Sequence, residues 1–137
     1  MLKQITPLLQ VRELAASVAF YSQKLGFQTG SAKDGFCIIR RDNCRIFLAQ
    51  KTKDVDVTNR AARAVDDDWC NYDLHIDCQP GTVDALYEEF RVKGVKMPSA
   101  YKDGPITRSY GIRDFSVLDP DGYDLVFGEE CPNEGSV

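Results

Sequence analysis

Tyr110-Gly-Ile-Arg-Asp-Phe-Ser-Val-Leu-Asp119-Pro120-Asp121-Gly122-Tyr-Asp-Leu-Val-Phe-Gly-Glu129 is the stretch from which the fold can be read. Its centre has the chemistry of a type I turn. Asp119 can bond the backbone at the first corner, Pro120 presets φ at the second, and Gly122 suits the fourth. On either side the apolar residues alternate, with Phe115 and Val117 before the turn and Tyr123, Leu125 and Phe127 after it. Period-two alternation around a turn predicts a β-hairpin with one buried face. Both arms carry large apolar side chains, so the hairpin needs a cover.

Upstream, Leu74, Ile76 and Cys78 alternate with Asp73, His75 and Asp77 over Tyr72–Cys78, which predicts a strand with one apolar and one polar face. Val83, Leu86, Tyr87 and Phe90 then stand at i, i+3, i+4 and i+7, an amphipathic helix closed by Lys93-Gly94. A loop over Met97–Pro105 and a strand near Ile106–Tyr110 lead to the hairpin.

The N-terminal half follows the same plan. Ile5–Val11 reads as a strand, with Pro7, Leu9 and Val11 on one side and Thr6, Leu8 and Gln10 on the other. Pro7 stands near its start, where a missing donor is tolerated. Arg12–Leu25 switches to helical spacing through Leu14, Val18, Tyr21 and Leu25, and Gly26 ends it. Strands are expected at Phe36–Arg40 and Arg45–Gln50, joined by Arg41-Asp42-Asn43.

Matching Tyr21 to Tyr87 gives an offset of 66 residues, Gly26 to Gly94 gives 68, and Ile46 to Leu125 gives 79. The chain therefore reads as an internal duplication with extra length in the second copy near Met97–Pro105. The expected fold class is α+β, two tandem βαβββ modules within a single domain. Module 1 covers about 4–50 and module 2 about 69–130, with a polar connector at 51–68 holding a short helix near Ala61–Val65.

At 137 residues the chain is of single-domain size. A net charge of −4 without a basic run excludes a nucleic-acid or anionic-membrane surface. No apolar stretch is long enough to span a bilayer, and the first residues lack the apolar core of a signal peptide, so a cytoplasmic protein is expected. Five cysteines without Cys-x-x-Cys spacing make neither a disulfide framework nor a zinc knuckle. Cys37 and Cys78 read as small core residues or half-buried thiols rather than catalytic ones.

The duplicated unit, with "Pro-Leu-Leu-Gln-Val-Arg-Glu-Leu … Ala-Phe-Tyr-Ser-Gln-Lys-Leu-Gly-Phe" in copy one and "Asp-Ala-Leu-Tyr-Glu-Glu-Phe-Arg-Val-Lys-Gly-Val … Tyr-Gly-Ile-Arg-Asp-Phe-Ser-Val-Leu-Asp-Pro-Asp-Gly" in copy two, resembles the vicinal oxygen chelate superfamily from about Ile5 to Glu129. That superfamily includes glyoxalase I, extradiol dioxygenases, fosfomycin-modifying enzymes and bleomycin resistance proteins. The resemblance implies two modules in a half-open barrel and a homodimer. It also implies, for the enzymes, a divalent metal held by side chains from the first and last strand of each copy.

Carried onto this chain, those ligand positions are Thr6, Phe47, Asp73 and Val126. Two are apolar and supply no donor, so neither a metal nor another cofactor is expected. Without a metal site the chain resembles the bleomycin resistance proteins, which sequester a drug without altering it. The expected ligand is a bleomycin-type or other planar cationic drug, drawn by the acidic balance. Alternatives are a glyoxalase-type lyase or fosfomycin-type transferase with a shifted ligand set such as Asp73, His75 and Glu129, or a binder of a small metabolite.

The expected ligand-binding residues are Phe47, His75, Tyr110, Tyr101, Asp73, Val126, Phe36 and Trp69, with no catalytic residue assigned. Phe47 and Tyr110 read as aromatic walls for a flat ligand. Phe36 and Trp69 suit core or dimer packing equally well. The single histidine, His75, is open to three roles: a hydrogen bonder to ligand, a general base, or a polar residue under a loop. Asp73 and Asp77 could each orient it.

Overall fold

The computed structural model of the chain describes residues 1–52 and 72–131. Its elements run β1 (Leu8–Val11), α1 (Leu14–Gln23), β2 (Gln28–Thr29), β3 (Phe36–Arg41) and β4 (Cys44–Gln50). They are followed by β5 (Leu74–Asp77), α2 (Val83–Val92), β6 (Ile106–Thr107), β7 (Ile112–Leu118) and β8 (Asp124–Glu130), with a 3-10 turn at Ser99–Tyr101. The order strand–helix–strand–strand–strand occurs twice, which makes the fold α+β as expected. The chain divides into two compact units, Met1–Asn59 and Arg60–Val137. The expected connector helix, Trp69 and Cys70 lie outside the described residues.

Each unit holds one four-stranded mixed sheet, ordered β1-β4-β3-β2 in the first and β5-β8-β7-β6 in the second. In both, the first strand runs parallel to the last and the other pairs are antiparallel. In the first unit Leu9, Val11, Cys37, Ile39, Ile46 and Leu48 point to one face and are buried with Leu14, Tyr21 and Leu25 of the α1 segment. The ring of Tyr21 meets Phe20 and Phe27 edge-on. Cys37 is a core residue as read: burial pushes its thiol up, and its Sγ–H donates to the Gly30 carbonyl at 3.5 Å.

In the second unit α2 lays Val83, Tyr87 and Phe90 on the apolar face of β7 and β8. Phe115 stacks on Phe127 at 5.4 Å, and Phe90 meets both edge-on. Within the hairpin turn Asp119 and Asp121 are buried while Pro120 is exposed. Gly122 N–H donates to the Asp119 carbonyl at 3.0 Å, and Asp119 Oδ1 accepts from the amides of Asp121 and Tyr123 at 2.8 and 2.9 Å. Gly122 takes φ 84°, which a side chain would strain.

Neither helix is capped by its own neighbours; Glu13 and Thr82 make no side-chain cap. The end of each module's last strand supplies the partner instead. Gln50 Oε1 accepts from Leu14 N–H at 2.8 Å while its Nε2 donates to the Arg12 carbonyl. Glu129 accepts from the amides of Gly81 and Val83, the latter at 3.1 Å, a carboxylate at the positive end of α2.

Two expected strands are shorter than read. The first begins at Leu8 rather than Ile5. The strand expected over Ile106–Tyr110 ends at Thr107, because Arg108–Gly111 folds into a turn in which Gly111 N–H donates to the Arg108 carbonyl at 3.1 Å with Gly111 at φ 85°.

Candidate functional site

A strand that buries alternate residues presents the others on its second face, and register shows which of these stand side by side. In the first module Leu8, Phe47 and Ile38 form one row across β1, β4 and β3, and Gln10, Ala49 and Phe36 form the next. The rings of Phe36 and Phe47 lie 5.1 Å apart, tilted at 57°, and both are part-exposed. At the other end of the face the Arg45 guanidinium sits 5.1 Å from the centre of the Phe47 ring. It donates through Nε and Nη2 to Thr6 Oγ1 at 3.1 and 2.7 Å. This is an apolar, aromatic surface edged by a cation.

The matching rows of the second module are His75, Val126 and Ser116, then Asp77, Gly128 and Asp114. Beyond them Asp73 and Asp124 adjoin: Asp124 N–H donates to Asp73 Oδ2 at 3.0 Å, and Asp73 N–H donates to the Asp124 carbonyl at 2.9 Å. Burial holds the Asp124 carboxyl above the usual carboxylate range, opposed by the Ser116 hydroxyl and reinforced by the charge of Asp73. Among the described residues its Oδ1 is buried without a hydrogen-bond partner. His75 Nδ1 lies 3.3 Å from Oδ1 of Asp77, an exposed carboxylate. The imidazole is 28% exposed and 6.0 Å from the Tyr72 ring.

The remaining expected residues divide. Tyr110 is 61% exposed at the Arg108–Gly111 turn. Val126 stands on the polar face but is only 8% exposed. Tyr101 differs from the loop residue open to a ligand that was expected. It is 8% exposed, and its hydroxyl donates to Asp114 Oδ1 at 3.0 Å and accepts from Arg108 Nη2 at 2.8 Å. Its carbonyl accepts from Tyr87 at 2.6 Å. Burial and the adjacent Asp114 charge push the Tyr101 phenol up to about 12, so it is neutral across the physiological range. Tyr101 is thus a post that fastens the long loop to the sheet.

The donor set does not fit a divalent ion at the positions the resemblance points to. Phe47 and Val126 offer no donor, Thr6 Oγ1 is occupied by Arg45, and Asp73 supplies one carboxylate. Nor do Asp73, His75 and Glu129, the shifted set, converge on a point. Glu129 is one residue past Gly128, so it faces the helix side, where its carboxylate is held by the amides of Gly81 and Val83 at the start of α2. Among the described residues no three His, Cys, Asp or Glu side chains converge on a point.

Sequence reasoning missed Arg45, Ser116, Asp124 and Gly128. Only Gly128 carried a signal, being a glycine inside an otherwise apolar strand.

The fold and the duplicated module match the Glyoxalase/Bleomycin resistance protein/Dioxygenase superfamily over residues 2–127, and the chain belongs to that superfamily. Within it, bleomycin resistance proteins of Geobacillus stearothermophilus and Staphylococcus aureus are 27% identical, over 93% of this chain and 96% of theirs. A bleomycin-binding protein solved with bleomycin superposes with a TM-score of 0.68 at 20% identity, covering 94% of this chain and 99% of that one. The bleomycin-binding protein of Streptomyces verticillus, solved with copper(II)-bleomycin, gives 0.59 at 24% identity, covering 97% and 100%. No helix among the described residues is long and apolar enough to cross a membrane.

Proposed function

We propose that this protein is a non-catalytic binder that sequesters a bleomycin-type or other planar cationic drug, working as a homodimer. The observation that carries the reading is the pair of part-exposed rings, Phe36 and Phe47, on the strand face opposite the core. Phe47 stands where an enzyme of the superfamily would need a metal ligand. An aromatic surface in that place serves to stack a flat ligand, worth on the order of 1 kcal/mol beyond simple burial. The relatives named as bleomycin resistance proteins support the same reading. In the second module the proposed contacts are Asp73, His75, Val126 and Tyr110. The carboxylates there and the net charge of −4 favour a cation.

The test is calorimetric titration of the purified protein with metal-free bleomycin, alongside sedimentation to establish the oligomer. Saturable binding is expected in the parent, with affinity falling several-fold or more in Phe47→Ala and Tyr110→Ala while circular dichroism is unchanged. No heat of binding at high micromolar drug would overturn sequestration of this drug class. Full affinity in both folded variants would move the ligand away from these residues.

A further inference from the structure

Gly128 lies inside β8, paired with Asp77 on one side and Asp114 on the other. Its backbone is not in the left-handed region, so nothing in its conformation calls for glycine. Strand interiors are weakened by glycine, and the matching position of the first module, one row from Phe47 as Gly128 is from Val126, is Ala49. The strand geometry of this module type therefore accepts a Cβ.

What excludes one here is a side chain. A Cβ built on Gly128 would stand 2.8 Å from His75 Nε2, 3.1 Å from its Cε1 and 3.2 Å from Ile112 Cγ2. The imidazole occupies the space a side chain at position 128 would take, with its other nitrogen 3.3 Å from Asp77 Oδ1. In the first module Leu8 holds the place of His75, 51% exposed and one row from Ala49.

We propose that Gly128 is a positioning residue: its missing side chain reserves the space in which His75 is seated, and Asp77 holds the seated ring from the other edge. His75 then presents one fixed orientation to a ligand rather than sampling its rotamers in solvent, so less conformational entropy is lost on binding. The inference rests on the proposed ligand role of His75 only for its effect on affinity. The seating itself is independent of any ligand.

The experiment uses Gly128→Ala, His75→Ala and the double variant in the full chain. The imidazole tip is the movable end of a side chain, so alanine at 128 displaces the ring rather than the strand, and the fold is expected to survive. The chain has one histidine, so its imidazole protons are unambiguous by NMR. In the parent, a nuclear Overhauser contact between the His75 Cε1 proton and the Gly128 α protons is expected. In Gly128→Ala the contact to position 128 should disappear and the His75 resonances should shift, with the rest of the spectrum largely retained. An unshifted His75 spectrum in the folded variant would overturn the seating.

Titration with metal-free bleomycin is the second arm. Gly128→Ala should weaken binding about as much as His75→Ala, several-fold, and the double variant no further. A loss from Gly128→Ala that persists in the His75→Ala background would show that position 128 acts without His75, and would overturn the proposal. If the parent does not bind the drug at all, the proposed function fails while the NMR arm still decides the seating.

Discussion

The two modules are copies in topology and opposites in chemistry. Laid on the same grid, the row Leu8, Phe47, Ile38 of the first corresponds to His75, Val126, Ser116 of the second. At the end of the face Thr6 and Arg45 stand where Asp73 and Asp124 stand in the other copy. One sheet carries rings and a guanidinium, the other carboxylates and an imidazole. The helix-facing sides do not diverge in this way: both are apolar and both end in a side chain that caps a helix. The helix-facing side is alike in the two copies, whereas the other side differs, and in the second module it buries Asp114, Ser116 and Val126.

The comparison breaks most sharply at Asp114. In the second module this buried carboxylate holds Arg108 at 3.1 Å and the Tyr101 hydroxyl at 3.0 Å. Asp114→Ala should destabilise the protein by about 3 kcal/mol, because it leaves a part-buried guanidinium and a phenol without their acceptor. Urea denaturation measures this, and a loss below about 1 kcal/mol would show the network to be no stronger than a surface pair.

A smaller effect of opposite sign is expected at Asp124. Its carboxyl is raised in the fold, so the native state disfavours the charged form. Stability is full below the ordinary carboxylate value and is lost as pH rises from there through the raised value. Asp124→Asn removes that loss and should melt higher than the parent at neutral pH, the gap closing in acid. A gap that is absent at neutral pH, or independent of pH, would count against it.

The smallest effect belongs to the first module. Arg45→Ala removes a part-exposed guanidinium from the Phe47 ring and from Thr6. It should cost under about 1 kcal/mol. Denaturation of this variant against Asp114→Ala then measures how unequally the two faces opposite the helices are tied into their sheets.

The elements were legible because their signals are local. Alternation around Asp119–Gly122 and helical spacing through Tyr87 and Phe90 each lie within a dozen residues. The faces were legible too, so Phe47 and His75 stand on the sides that alternation assigned them. Cross-strand company was not. Asp124 meets Asp73 across 51 positions, and the space above Gly128 is filled from position 75. Register between parallel strands sets both contacts, and no short-range pattern encodes it. Tyr101 lay in a loop without periodicity, so the direction of its ring depended on Asp114, thirteen residues further on.

The remote helix caps carry a consequence for synthesis. Each helix is made early in its module but finds its amide acceptor only in the final residues of that module, Gln50 for α1 and Glu129 for α2. A chain emerging from the ribosome therefore passes two points of completion. The first falls when residue 50 is released, and the second only when residue 129 follows. Between them the first module can close while the second remains an open helix with bare amides at its start, waiting for the strand that will end the fold.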